Sequence, residues 1–69
     1  MKEDIFNALC KSFEAGIVKH AMNVRIMLNN PMAIHEHTDF MSAVELELAQ
    51  MAEYKDKLEA LEIVVKGNI

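Results

Sequence analysis

The sequence predicts an all-α fold: an antiparallel two-helix hairpin that assembles into a four-helix bundle by dimerisation. Three observations predict it. Apolar residues recur at steps of three and four along two long segments, neither segment holds an internal proline, and Asn29-Asn30-Pro31 stands between them. The expected layout is a single domain over residues 1–69, with one helix over about 2–29, a loop over 30–37 and a second helix over about 38–66.

In the first segment the stripe runs Phe6, Leu9, Phe13, Gly16/Ile17, His20, Val24 and Met27, widened by Ile5, Cys10, Ala21 and Leu28. Glu3 and Asp4 fall in its first turn, where the helix dipole favours anions. Gly16 is its one interior breaker, at about 1 kcal/mol relative to Ala. The stop at Asn29-Asn30-Pro31 has two causes: Asn tolerates the left-handed backbone that closes helices, and a residue before proline is pushed out of the helical region.

The second segment repeats the pattern with Phe40, Val44, Leu48, Met51, Tyr54, Leu58, Leu61 and Val65. Thr38 is its expected N-cap, with Asp39 just inside, and Lys66-Gly67 supplies a cation and then a C′ glycine at the other end. Glu53/Lys57 and Glu62/Lys66 are i, i+4 pairs in the favourable order.

The dimer follows from size. Chains below roughly 70 to 80 residues seldom gain a comfortable margin from one core, and they lean on disulfides, a metal or oligomerisation. Here there are 69 residues and a single cysteine, Cys10, which has no intrachain partner. The apolar faces are wider than one hairpin covers: Val18, Met22 and Ile26 run down another side of the first helix, and Ala43, Leu46 and Ala49 flank the stripe of the second. The expected oligomer interface is Phe6, Leu9, Phe13, Ile17, Val24, Val44, Leu48, Met51, Leu58 and Leu61.

Charge restricts the partners. The net charge of −4 comes from 7 basic and 11 acidic residues, and all of it belongs to residues 38–69. Phosphate neutralisation needs a basic stripe, and the sequence has none, so nucleic acid is not an expected partner. No run approaches the roughly 20 apolar residues of a membrane span, and acids stand where a signal peptide would be basic. A lone thiol fits a reducing cytoplasm. The acidic second helix reads as a solvated outer face, with docking of a basic host protein as the sharper alternative.

Few residues carry a chemical argument. His35, Glu36, His37 and Asp39 put imidazole and carboxylate within five positions, the donor types that suit zinc or another transition ion. The spacing is not that of two His four apart on one helical face, a third and fourth ligand are lacking, and capping of the second helix is the commoner use of such groups. They stand as weak metal candidates that only paired loops of an oligomer could complete; no metal or cofactor is expected. His20, on the apolar stripe, could ligate a metal, pair with a carboxylate such as Glu47, or sit half-buried at a seam where polar residues set register. The six methionines are at helical spacing and read as core filler. Cys10 has no flanking His or cationic cluster to activate it, and Tyr54 reads as a seam tyrosine. No catalytic set emerges, and a chain this short has little material for the walls of a cleft. The expectation is a non-enzymatic protein that acts by binding other proteins.

The run Leu28-Asn29-Asn30-Pro31-Met32-Ala33-Ile34-His35-Glu36-His37-Thr38-Asp39-Phe40, with Met51-Ala52-Glu53-Tyr54-Lys55-Asp56-Lys57-Leu58-Glu59 after it, resembles a class of short uncharacterised helical proteins of tailed marine phages, cyanophages especially. His35 departs from that pattern, standing where a glycine is expected. The resemblance implies a phage or marine-environment origin and expression in a bacterial cytoplasm. A small phage accessory or host-takeover factor is the role expected, with a minor virion structural or assembly component as an alternative. The resemblance brings no activity.

Overall fold

The computed structural model describes residues 1–30 and 37–67, with the side chains of His37 and Thr38 left aside. Two α-helices, α1 (Lys2–Leu28) and α2 (His37–Val65), pack along their length as a hairpin. There is no strand among the described residues. The molecule measures 50 × 20 × 12 Å, with a radius of gyration of 15.8 Å. A globule of this length would have a radius near 11 Å, so the hairpin is a rod.

The ends explain themselves locally, with two departures from expectation. Asn29 closes α1, but its φ of −94° is not left-handed. Instead its Nδ2 donates to the Arg25 carbonyl at 2.8 Å while its own backbone N–H donates to the same oxygen at 3.0 Å. A short amide side chain that reaches a carbonyl four residues back can satisfy a helix end without a strained backbone. The second departure is that α2 begins at His37, so Thr38 lies in the first turn and not at the cap. Gly67 behaves as expected: its φ of 75° is left-handed, and its N–H donates to the Val64 carbonyl at 3.1 Å.

On the surface, Glu53 and Lys57 close their expected pair at 3.2 Å, and Lys55–Glu59 adds another at 3.8 Å. Among the described residues, Glu62 and Lys66 do not close theirs. Such exposed pairs contribute a few tenths of a kcal/mol each.

The seam is thin. Among the described residues no hydrophobic side chain is fully buried. Of the ten residues expected at an oligomer interface, Phe6, Phe13, Ile17, Val24, Val44, Met51, Leu58 and Leu61 are half-buried, while Leu9 and Leu48 are exposed. Two cylinders touch only along a line, so each residue on that line keeps one flank open.

Val18 and Met22 are two positions either side of His20, hence rotated from it by about 200°. His20 is the most enclosed side chain of α1, so these two residues and Ile26 occupy its far side, away from α2. All three are more than half exposed.

Candidate functional site

Halfway along the seam the two helices meet through polar and small residues. Positions 16, 20 and 23 of α1 and 47 and 54 of α2 are spaced by three, four or seven, so each set lies on one helical face. Gly16 and His20 are the buried residues of α1.

The Tyr54 ring lies directly on the Gly16 backbone. A Cβ placed at Gly16 would stand 2.5 to 2.7 Å from three ring carbons of Tyr54, closer than any side chain tolerates. Glycine is therefore required here by close approach. The same ring stacks on His20, with centroids 5.9 Å apart and planes at 20°, and meets Phe13 at 6.4 Å and 40°. The Lys57 ammonium sits 5.4 Å from the ring centroid. Separations of this size suit aromatic pairs and a cation over a π face.

Behind the ring is a hydrogen-bonded group. Glu47 Oε1 accepts from His20 Nδ1 at 2.8 Å and from Asn23 Nδ2 at 2.8 Å. An ionised carboxylate only accepts, so the His20 hydrogen is on Nδ1. These two bonds, His20 first and Asn23 second, hold the Glu47 carboxyl below its ordinary pKa, with the charges of His20 and Lys19 adding to the effect. No buried side-chain polar atom among the described residues lacks a partner. Of the three readings open for His20, pairing with Glu47 at a half-buried seam is the one the geometry contains.

Every short polar contact is used within the hairpin, and the imidazole is enclosed by Tyr54 on one face and held by Glu47 at its edge. The arrangement thus fixes register: a slip of α2 by one residue would turn Glu47 away from His20 and drive a side chain into the Gly16 backbone.

The other candidates fall elsewhere. Cys10 is a free, half-buried thiol. Desolvation raises its pKa first, and the Glu14 and Glu62 charges raise it further, which suppresses the nucleophilic thiolate. The metal candidates His35 and Glu36, and the side chain of His37, lie outside the described residues; Asp39 is exposed at the start of α2. Among the described residues no three His, Cys, Asp or Glu gather as a metal site. An open groove of about 440 Å³ lies between the N-terminal turn of α1 and the end of α2, lined by Lys2, Glu3, Phe6, Val64 and Val65. None of the described helices is long and apolar enough to cross a membrane.

The comparisons give no relative. The chain matches no family model, no curated protein and no solved structure.

The Gly16–Tyr54 contact is not among the pairings that sequence reasoning found. Its signal was present: a glycine inside an otherwise strong helical pattern, on the seam stripe, costs stability unless something occupies the space of its missing side chain.

Proposed function

We propose that the protein is a non-enzymatic, self-associating helical hairpin that acts through protein–protein interaction. The observation that carries this reading is the surface. The chain exposes 5540 Å², against about 4400 Å² for a compact folded protein of the same mass. Ile26, Leu28, Leu46 and Val64 are each 60% exposed or more. Exposed apolar surface on this scale marks interaction sites in soluble proteins. The central polar group supports the same reading, since it holds the register of the hairpin whose faces such an assembly would use.

The likeness to short phage proteins makes a role as an accessory or host-takeover factor in a bacterial cytoplasm the working context. The acidic α2 is the surface on which a basic host protein would be sought. Self-association is tested by light scattering and thermal melting across a hundredfold range of concentration. A dimer gives twice the chain mass and a Tm that climbs with concentration. A chain of 7.8 kDa mass with a concentration-independent Tm would sink the reading.

A further inference from the structure

Resting on the self-association just proposed, we infer which face pairs and how: a second copy docks on the flank of the hairpin that carries Cys10, with each α1 lying on the partner's α2 and both loops at the same end.

The flanks are assigned from the seam contacts and helical spacing. In two antiparallel helices one residue past the seam turns to the same flank, so Ala21 after His20 shares a flank with Leu48 after Glu47, and Cys10 lies on the same side of α1 as Ala21; Asn23, bonded to Glu47, and Lys19 lie toward the other. Stepping back from Glu62 by sevens gives Lys55, Leu48 and Met41; stepping forward from Glu14, four residues after Cys10, gives Ala21 and Leu28. Observed cross-helix neighbours, Gly16 with Tyr54 and His20 or Asn23 with Glu47, fix the level at which residues face each other. On that register Leu28 stands level with Met41, Ala21 with Leu48, and Glu14 with Lys55. The flank is thus a ladder with two apolar rungs toward the loop and then a rung of opposite charges. Leu28, Met41 and Leu48 are 64%, 53% and 47% exposed.

The surface left open by the rod is enough for a second copy. A compact protein of twice the mass exposes about 7300 Å², so two copies would bury on the order of 3800 Å² to match it, within the roughly 2000 to 5000 Å² of obligate dimers. No peptide strap of a few residues replaces that much surface.

Charge and position choose the geometry. α1 carries four basic and three acidic residues; α2 carries two and seven. A two-fold axis along the helices stacks α1 on the partner's α2 and leaves the two acidic helices on the diagonal. An axis across the helices would stack acidic α2 on the partner's α2, within a Debye length of about 8 Å or little more. The first axis also keeps levels: apolar rungs meet apolar rungs, and Glu14 meets the partner's Lys55. The second would lay the apolar rungs against the charged far end of the partner's hairpin. The stripe Val18, Met22 and Ile26, on the far side of α1, stays outside this interface, and so do Leu46 and Val64, which lie toward the opposite flank of α2.

Two measurements test the inference. By light scattering with circular dichroism, the wild type is expected at twice 7.8 kDa, Leu48→Glu at a monomer-shifted mass, and Met22→Glu still at the dimer mass. A monomeric wild type overturns the proposed self-association itself. A dimer lost in Met22→Glu and kept in Leu48→Glu overturns only the face. The second measurement mixes Glu14→Lys chains with affinity-tagged Lys55→Glu chains. With α1 on the partner's α2, each homodimer repeats like charges and the heterodimer joins opposite ones. The heterodimer should therefore exceed its statistical half, and the excess should vanish in 1 M salt. Statistical mixing at low salt overturns the helix-on-helix arrangement, and it does so even where a charge variant lowers helicity, because the comparison is between species in one tube.

Discussion

The middle of the hairpin and its loop half are built from the same two helices at the same spacing, yet they use it differently. In the middle, Gly16 lets the Tyr54 ring touch backbone, and His20, Asn23 and Glu47 satisfy one another at 2.8 Å. Toward the loop, Leu28, Met41 and Leu48 show about half of their surface or more to solvent. The difference teaches that two helices can enclose a site only where one of them gives up its side chain. A missing Cβ lets the Tyr54 ring reach the backbone of α1, while Leu28 and Met41 stay open to solvent. Specificity of register is concentrated at the centre, and unspent apolar surface at the flank.

Tyr54→Ala should break the comparison most severely, because it removes the ring that covers Gly16 and stacks on His20 and Phe13. We expect a loss of about 2–3 kcal/mol in urea unfolding at fixed protein concentration, the low end for an aromatic truncation since the ring is half-buried. A cost below about 0.5 kcal/mol, the scale of ordinary surface changes, would show that the centre is no tighter than the flank.

Gly16→Ala comes next and has the more informative sign. In an open helix this change stabilises by about 1 kcal/mol; here the new methyl meets ring carbons, and overpacking of about 1–3 kcal/mol outweighs the gain. The expected net effect is a lower urea midpoint. In the Tyr54→Ala background the same substitution should turn neutral or stabilising, and a double-mutant cycle reads that reversal.

Acid should loosen the centre. The Glu47 pKa is depressed in the folded chain, so its contribution is present above the ordinary carboxylate pKa and is lost as pH falls through the lower folded value. Unfolding midpoints followed downward from pH 6 should decline across that window, and Glu47→Gln should flatten this part of the decline. An unchanged slope in Glu47→Gln would assign the acid sensitivity to other carboxylates.

The smallest effect is expected on the far side of α1. Val18→Ser changes a residue 56% exposed and should move stability by no more than about 0.5 kcal/mol. A larger loss would reveal that this stripe is covered in solution, and would move the dimer face there.

Much of the fold was legible in the chain. Steps of three and four from Phe6 to Met27 and from Phe40 to Val65 are satisfied only by helices, and Asn-Asn-Pro marks where one must end. The closing glycine at 67 was legible as well, because a left-handed C′ position has few other occupants. Asn29 was read for the right place and the wrong mechanism: sequence names a residue that can go left-handed, but its side chain had a carbonyl in reach and the backbone did not need to. The His20–Glu47 pair was one of several open readings, since helical spacing gives the face of a residue and not its level against another helix.

What the sequence by itself determined is therefore local and periodic: two helices, their stripes, and a net charge assigned to the second. The helices and their stripes follow from backbone geometry and side-chain polarity, which act over one or two turns, and the charge follows from composition alone. The level at which α2 stands against α1 was decided only in the tertiary structure. Hydrophobic burial changes little when one stripe slides along another, whereas a ring seated on a missing Cβ and a carboxylate held by two donors have one position in which all are satisfied.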